Sequence, residues 1–217
     1  MKKIILTVMD GLGDEPIPEF GGKTPLEKAE TPNMDKLVQK GTCLLVEPFH
    51  PRTAVPTSEG VHFSLFGYDP KEYNVARGIF TAKGAGLEVE KGDVALRGNF
   101  GTVDENMNMI DRRAGRIKET EPLIEELNNT TIDGVKFLIK SAREHRMGIV
   151  LKGKGLSPNV SDGDPHYKNM EDKAQKIDPL DDTQEAQFTA DVLNKFKKKK
   201  KSVLRDHPLN EKREKEG

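Results

Sequence analysis

Residues 3–9, KIILTVM, form a nearly unbroken apolar run rich in β-branched side chains, and the run stops abruptly at Asp10-Gly11-Leu12-Gly13-Asp14. A segment of that length and composition reads as a strand buried on both faces of a parallel sheet. Such a strand needs sheet neighbours and helical cover, so it constrains what the rest of the chain must supply. The next residues offer that alternation. A helix is expected over 32–40, with Thr31 as its N-cap, Pro32 in its first turn and Gly41 as its stop, followed by a second strand at 42–46. The opening is therefore expected to be an α/β layer.

The texture changes near residue 90. Val94–Val103 and Met107–Ile110 read as two strands of a hairpin around Asp104-Glu105-Asn106. A helix over Glu119–Leu127 and strands at Val135–Ile139 and Ile149–Leu151 then give an α+β pattern. The 217 residues are enough for one large or two small domains. The expected organisation is a first domain over 1–76, an inserted domain over 77–184, and a return helix with a polar tail over 185–217. That helix is capped by Asp181, Asp182 or Thr183 and carries Phe188, Val192 and Phe196 at i+4 spacing. The Lys197–Lys201 run is expected to break its apolar stripe, and NEKREKEG, lacking an apolar anchor, to fray.

Charge narrows the partners. Lys and Arg number 35 against 36 Asp and Glu, a formal net charge of −1, which does not indicate a general polyanion binder. Residues 195–217 hold ten basic against four acidic side chains. No aromatic beyond Phe196 interleaves that lysine run, so it reads as a solvated helix end and no nucleic-acid partner is expected. The lone Cys43 has no intramolecular disulfide partner, and the opening run is too short for a signal or membrane segment. A cytoplasmic protein with no membrane partner is expected. Gly11-Leu12-Gly13 is followed by Pro16 where a dinucleotide fingerprint needs Gly, and no P-loop occurs, so no nucleotide cofactor is expected.

Several residues could do chemistry, each with a plainer alternative. Asp10 would sit at the carboxyl edge of the first strand, where α/β sheets bind ligands, and could hold a metal ion or merely cap its own turn. Ser58 follows the proline-rich segment 48–58 and opens a short helix expected over 58–66, so it is either a nucleophile toward phosphorus or an N-cap. Arg112, Arg113 and Arg116 follow Asp111 directly, and Arg97 precedes them on the first hairpin strand. Guanidinium forks suit a small anion bearing carboxylate and phosphate, though a solvated loop has the same composition. Asp162-Gly163-Asp164-Pro165-His166 supplies carboxylates and an imidazole, or a turn.

MDGLGD (9–14), GGKTPLEKAETPNMDKL (21–37), PTSEG with LFGYDP (56–60, 65–70), GDVALRGNFGTVDE with DRRAGRI (92–105, 111–117), SDGDPH, Pro179-Leu180-Asp181-Asp182-Thr183 and HPLNEKREKEG together resemble the archaeal-type cofactor-independent phosphoglycerate mutases. The resemblance implies an alkaline-phosphatase-like α/β core, here incomplete, with an inserted α+β substrate-binding domain. It implies interconversion of 3-phosphoglycerate and 2-phosphoglycerate through a phosphoserine, without 2,3-bisphosphoglycerate. Two divalent ions are implied, manganese first, with magnesium, cobalt or zinc as alternatives. Asp10 and Ser58 would be metal ligands, with Ser58 also the nucleophile. Asp111, Arg112, Arg113, Arg116, Asp164 and His166 would serve the substrate. The family is about twice this length and carries its remaining metal ligands in the other half. The 217 residues alone are accordingly expected to be inactive and to need a complementing C-terminal half. Thr57-Ser58-Glu59 stands where many members have Gly-Ser-Asp. The rival expectations are a homoserine-kinase-like phosphotransferase and an inactive phosphoglycerate-binding remnant.

Overall fold

The structure is a computed structural model that describes residues 3–9, 11–47, 58–70, 72–73, 76–164 and 174–216, with the backbone alone for Ser58 and Glu216. The chain divides into two compact units, Met1–Ala54 and Val55–Gly217.

The first unit holds a 3₁₀ turn at Pro18–Phe20 and two helices, α1 (Pro25–Lys28) and α2 (Pro32–Lys40). The first helix is fixed by a reciprocal cap: Thr24 accepts from the Glu27 amide at 3.2 Å while Glu27 accepts from the Thr24 amide at 2.8 Å. The second helix matches the expected boundaries, but Thr31 uses its hydroxyl to donate to Asp35 at 3.0 Å rather than to cap. The expected strands at 3–9 and 42–46 are not formed. Ile4 is 96% exposed and Leu45 97%. The reason is physical: a doubly buried strand exists only between neighbours, and no described residue of this unit is buried or strand-paired beyond the single Ile17–Lys23 bridge.

The second unit contains the core. Its elements run α3 (Ser58–Leu65), α4 (Arg77–Gly84), β1 (Val94–Asn99), β2 (Thr102–Val103), β3 (Met109–Asp111), α5 (Glu121–Leu127), β4 (Thr131–Ile132), β5 (Val135–Ser141), β6 (Arg146–Lys152), α6 (Gln184–Arg205) and α7 (Pro208–Glu216). Four strands form an antiparallel sheet in the order β1-β6-β5-β4. The hairpin expectation holds for β2 and β3, which pair Thr102 with Asp111; β1 instead pairs with β6, Asn99 opposite Arg146. Met147–Leu151 of β6 is buried at every position because both faces are covered. On one face Leu123, Leu127, Phe137, Ile139, Val192 and Phe196 pack together. On the other, α4 delivers Ala82 beside Val150 and Leu87.

Two glycines let that second layer close. A β-carbon on Gly78 would fall 2.0 Å from the Ala95 carbonyl oxygen, and one on Gly148 would fall 2.8 Å from Ala82 Cα. α4 therefore rests on the sheet backbone itself.

The long helix α6 begins where expected, Thr183 accepting from the Ala186 amide at 3.2 Å. It does not end at the lysines. Lys195 pairs with Asp133 at 2.6 Å, Lys197 donates to the Gln175 carbonyl and Lys200 to that of Glu126. Lysine is a good helix former, and its long stem reaches neighbouring acceptors while the helix continues. Phe196 stacks on Phe137, ring centroids 4.2 Å apart and planes 6° apart, so α6 closes the core of the sheet expected in the 77–184 segment. The polar tail is also helical. Leu209, one residue before the polar run, packs against the main core, and Arg213 donates to the Ala114 carbonyl at 2.7 Å.

Candidate functional site

The end of β1, the turn after β3 and the segment before residue 165 meet at one carboxylate. Arg112 donates from Nε and from a terminal nitrogen to the two oxygens of Asp164, both at 2.8 Å. Asn99 donates to the same carboxylate at 3.2 Å. Asp164 is oriented in turn through its amide, which donates to Asp162 at 2.9 Å. A two-point pair of this kind fixes the guanidinium plane, and it raises the Arg112 pKa above its ordinary value through the Asp164 hydrogen bonds.

The turn that presents Arg112 and Arg113 is left-handed. Ala114, Gly115 and Arg116 have φ of 45°, 64° and 53°, a conformation costly for residues with a β-carbon. It is held from two sides. The Asp111 carboxylate accepts from the amides of Arg113 at 2.8 Å and Gly115 at 2.6 Å, and these bonds hold its pKa below the ordinary carboxylate value. From the other side Arg213 grips the Ala114 carbonyl.

More charge converges on the α4 face of the sheet. Arg97 stands diagonally from Arg146 across the β1–β6 ladder, and it lies in the field of Arg146, Arg77, Asp164 and Glu59. Burial first, then Arg146 and Arg77, push its pKa below the ordinary arginine value. Glu59, next to Ser58 in α3, pairs with Arg77 at 2.6 Å. The helix that begins at Ser58 is thus tied to the first residue of α4, and Glu59 has a structural use. His145, 4% exposed, has its pKa lowered by burial and then by Arg146, Arg113 and Arg97, against the opposing effect of Glu144.

Of the residues picked from the sequence, Asp111, Arg112, Arg113 and Asp164 come together, and Arg116 is exposed at the rim of the same turn. Asp10 and His166 lie outside the described residues, as does the side chain of Ser58. Asn99, His145, Arg146 and Arg77 were not singled out from the sequence. The signal was the period-2 alternation that puts Arg97 and Asn99 on one face; its partner on β6 required the register.

A mixed α/β protein whose antiparallel sheet carries a carboxylate-braced arginine cluster is the class that fold and site define. Known proteins make the assignment specific. A profile of the 2,3-bisphosphoglycerate-independent phosphoglycerate mutases matches residues 39–210, and the chain belongs to that family. It is 45% identical over 210 residues to the 2,3-bisphosphoglycerate-independent phosphoglycerate mutase of Methanosphaera stadtmanae, covering 96% of this chain and 51% of that protein. Mutase 1 of Methanocaldococcus jannaschii is also 45% identical, over 217 residues, with 99% and 52% covered. Among solved structures, the cofactor-independent phosphoglycerate mutase of Thermoplasma acidophilum superposes with a TM-score of 0.60 at 36% identity, covering 97% of this chain and 54% of that one. The PH0037 protein of Pyrococcus horikoshii gives 0.63 at 34%, with 96% and 46% covered. The chain therefore spans about half the length of the relatives it matches.

Proposed function

We propose that this chain forms the N-terminal half of a phosphoglycerate mutase that interconverts 3-phosphoglycerate and 2-phosphoglycerate, and that turnover requires the half of the family it does not span. The observation that carries the reading is the braced arginine cluster around Asp164, in the same compact unit as the helix opened by Ser58, within a chain of this family. The Ser58 hydroxyl oxygen attacks phosphorus and the glycerate oxygen leaves, taking a proton to become a hydroxyl. Glycerate turns on the arginines, and its other hydroxyl then takes the phosphoryl group from Ser58 as that serine regains a proton. Arg112 and Arg113, with Arg116 at the rim and His166, two residues after Asp164 in the sequence, hold the substrate's anionic ends. Asp111 and Asp164 position them. In this reading residues 1–76 contribute to an alkaline-phosphatase-like core, and 77–184 are inserted into it.

The resemblance implies divalent ions for the family. Among the described residues no three His, Cys, Asp or Glu side chains converge. Asp10 and Ser58 are the ligands this chain would offer. No described helix is long and apolar enough to cross a membrane.

The test joins or mixes the chain with a C-terminal half from a family member and follows 3-phosphoglycerate conversion through an enolase-coupled readout. Activity is expected only for the combination. Arg112→Ala should weaken it by up to about 2–5 kcal/mol in kcat/KM, the scale for truncating one partner of a hydrogen-bonded charge pair; the pair here is part-buried. Robust turnover by the purified chain alone, or full activity in Arg112→Ala, contradicts the reading. ATP-dependent phosphorylation of an amino alcohol would support the kinase alternative, and binding without rescue the inactive remnant.

A further inference from the structure

Three buried polar atoms have no hydrogen-bond partner among the described residues: Asn99 Oδ1, His145 Nδ1 and Arg146 Nε. They belong to consecutive or directly paired residues, since Asn99 faces Arg146 in the ladder and His145 precedes Arg146. Leaving such groups unsatisfied is costly, and of the three Arg146 Nε–H is the donor that an anion satisfies, since Asn99 Oδ1 only accepts. Beside them, Arg97 makes no ion pair or hydrogen bond through its side chain among the described residues, and neither does Arg146. Arg112 and Arg77, by contrast, are neutralised by Asp164 and Glu59.

We infer that Arg97 and Arg146, with His145 at their base, form the seat of a phosphomonoester dianion beside the Arg112–Asp164 pair, to which Asn99 ties this strand end through its hydrogen bond to Asp164. Two adjacent guanidiniums without an ion pair among the described residues, Arg97 only partly offset by the more distant field of Asp164 and Glu59, suit a phosphate dianion, and the orphaned Arg146 Nε–H supplies a donor for it. His145, held toward its neutral form, completes the buried base without adding charge. Arg112, already balanced by Asp164, is left for the singly charged carboxylate. This assignment deepens the phosphoglycerate reading and rests on it for which phosphomonoester is bound.

The experiment titrates the 217-residue chain with inorganic phosphate, glycerate and 3-phosphoglycerate, observing arginine side-chain Nε–H resonances by NMR. Phosphate and 3-phosphoglycerate should shift Arg97 and Arg146, and glycerate should not. Arg97→Gln and Arg146→Gln should each raise the phosphate Kd tenfold or more, and Arg143→Gln, an exposed charge nearby, should leave it unchanged. The wild-type shifts stand on their own if a variant fails to fold. Phosphate binding that ignores both substitutions, glycerate seated on the same pair, or no phosphate binding at all overturns the inference. Phosphate seated on the pair with 3-phosphoglycerate bound no more tightly sustains the seat and refutes the phosphoglycerate reading.

Discussion

Replacing Gly78 with alanine sets two effects of opposite sign against each other. In the first turn of an α-helix the substitution should help by up to about 1 kcal/mol, because glycine is the more costly helix residue. The packing opposes this. The new β-carbon would lie 2.0 Å from the Ala95 carbonyl oxygen, 2.6 Å from its carbon and 2.7 Å from Leu96 Cα. All three are backbone atoms of β1, so no side chain can swing aside, and α4 must lift by about 1 Å to restore van der Waals contact. Overpacking of this kind costs about 1–3 kcal/mol, occasionally more. The lift also loosens Ala82 against Val150 and Leu87. The net expectation is a loss of about 2 kcal/mol, or about 4–8 °C in Tm for a unit of this size. Urea unfolding followed by circular dichroism reads it directly. Gly98→Ala is the internal control, since its β-carbon would meet side-chain atoms of Met147 and Ile149 rather than backbone and should cost less. A Gly78→Ala protein as stable as wild type, or more so, would refute the seating of α4 on β1.

Three further expectations follow from the same contacts. Phe196→Ala should cost about 3–5 kcal/mol, because it removes the ring stacked on Phe137; a loss below about 1 kcal/mol would detach α6 from the sheet core. Asp111 has a folded pKa below its unfolded value, so its stabilising effect is present above the ordinary carboxylate range and is lost as pH falls through the folded value. Asp111→Asn should therefore flatten the fall in urea midpoint between about pH 5 and about pH 2, and an unchanged acid limb would contradict the two amide hydrogen bonds. Arg213→Ala should destabilise by about 1–2 kcal/mol and broaden the amide resonances of Ala114 and Gly115; unchanged resonances would show that α7 does not support that turn.

The legible parts of the sequence were those whose cause is local. Pro32 and Gly41 bracket α2, Thr183 caps α6, and the apolar runs ending in Ile139 and Leu151 mark the central strands, each by the chemistry of a few neighbouring residues. Residues 3–9 carry an equally clear pattern, but a doubly buried strand depends on partners, and Ile4 and Leu45 stand exposed without them. The tail failed differently: its polarity concealed Leu209 and the reach of Arg213 to a turn 99 residues away. For the site, DRRAGRI and SDGDPH announced Arg112 and Asp164. Arg146 and Asn99 stayed hidden because their pairing is a matter of register, which no single strand encodes. The stacking of Phe196 on Phe137 stayed hidden for a similar reason, since it is a tertiary fact.

In a mutase assembled around this chain, Ser58 is the residue proposed to receive the phosphoryl group. The direct measurement combines the chain with a family C-terminal half, quenches it in acid during turnover of 3-phosphoglycerate, and maps phosphorylated peptides by mass spectrometry, with Ser58→Ala in parallel. Phosphate is expected on Ser58, and the Ser58→Ala protein should keep its fold but lose turnover by several orders of magnitude. Phosphate on any other residue, or turnover surviving in Ser58→Ala, would contradict it.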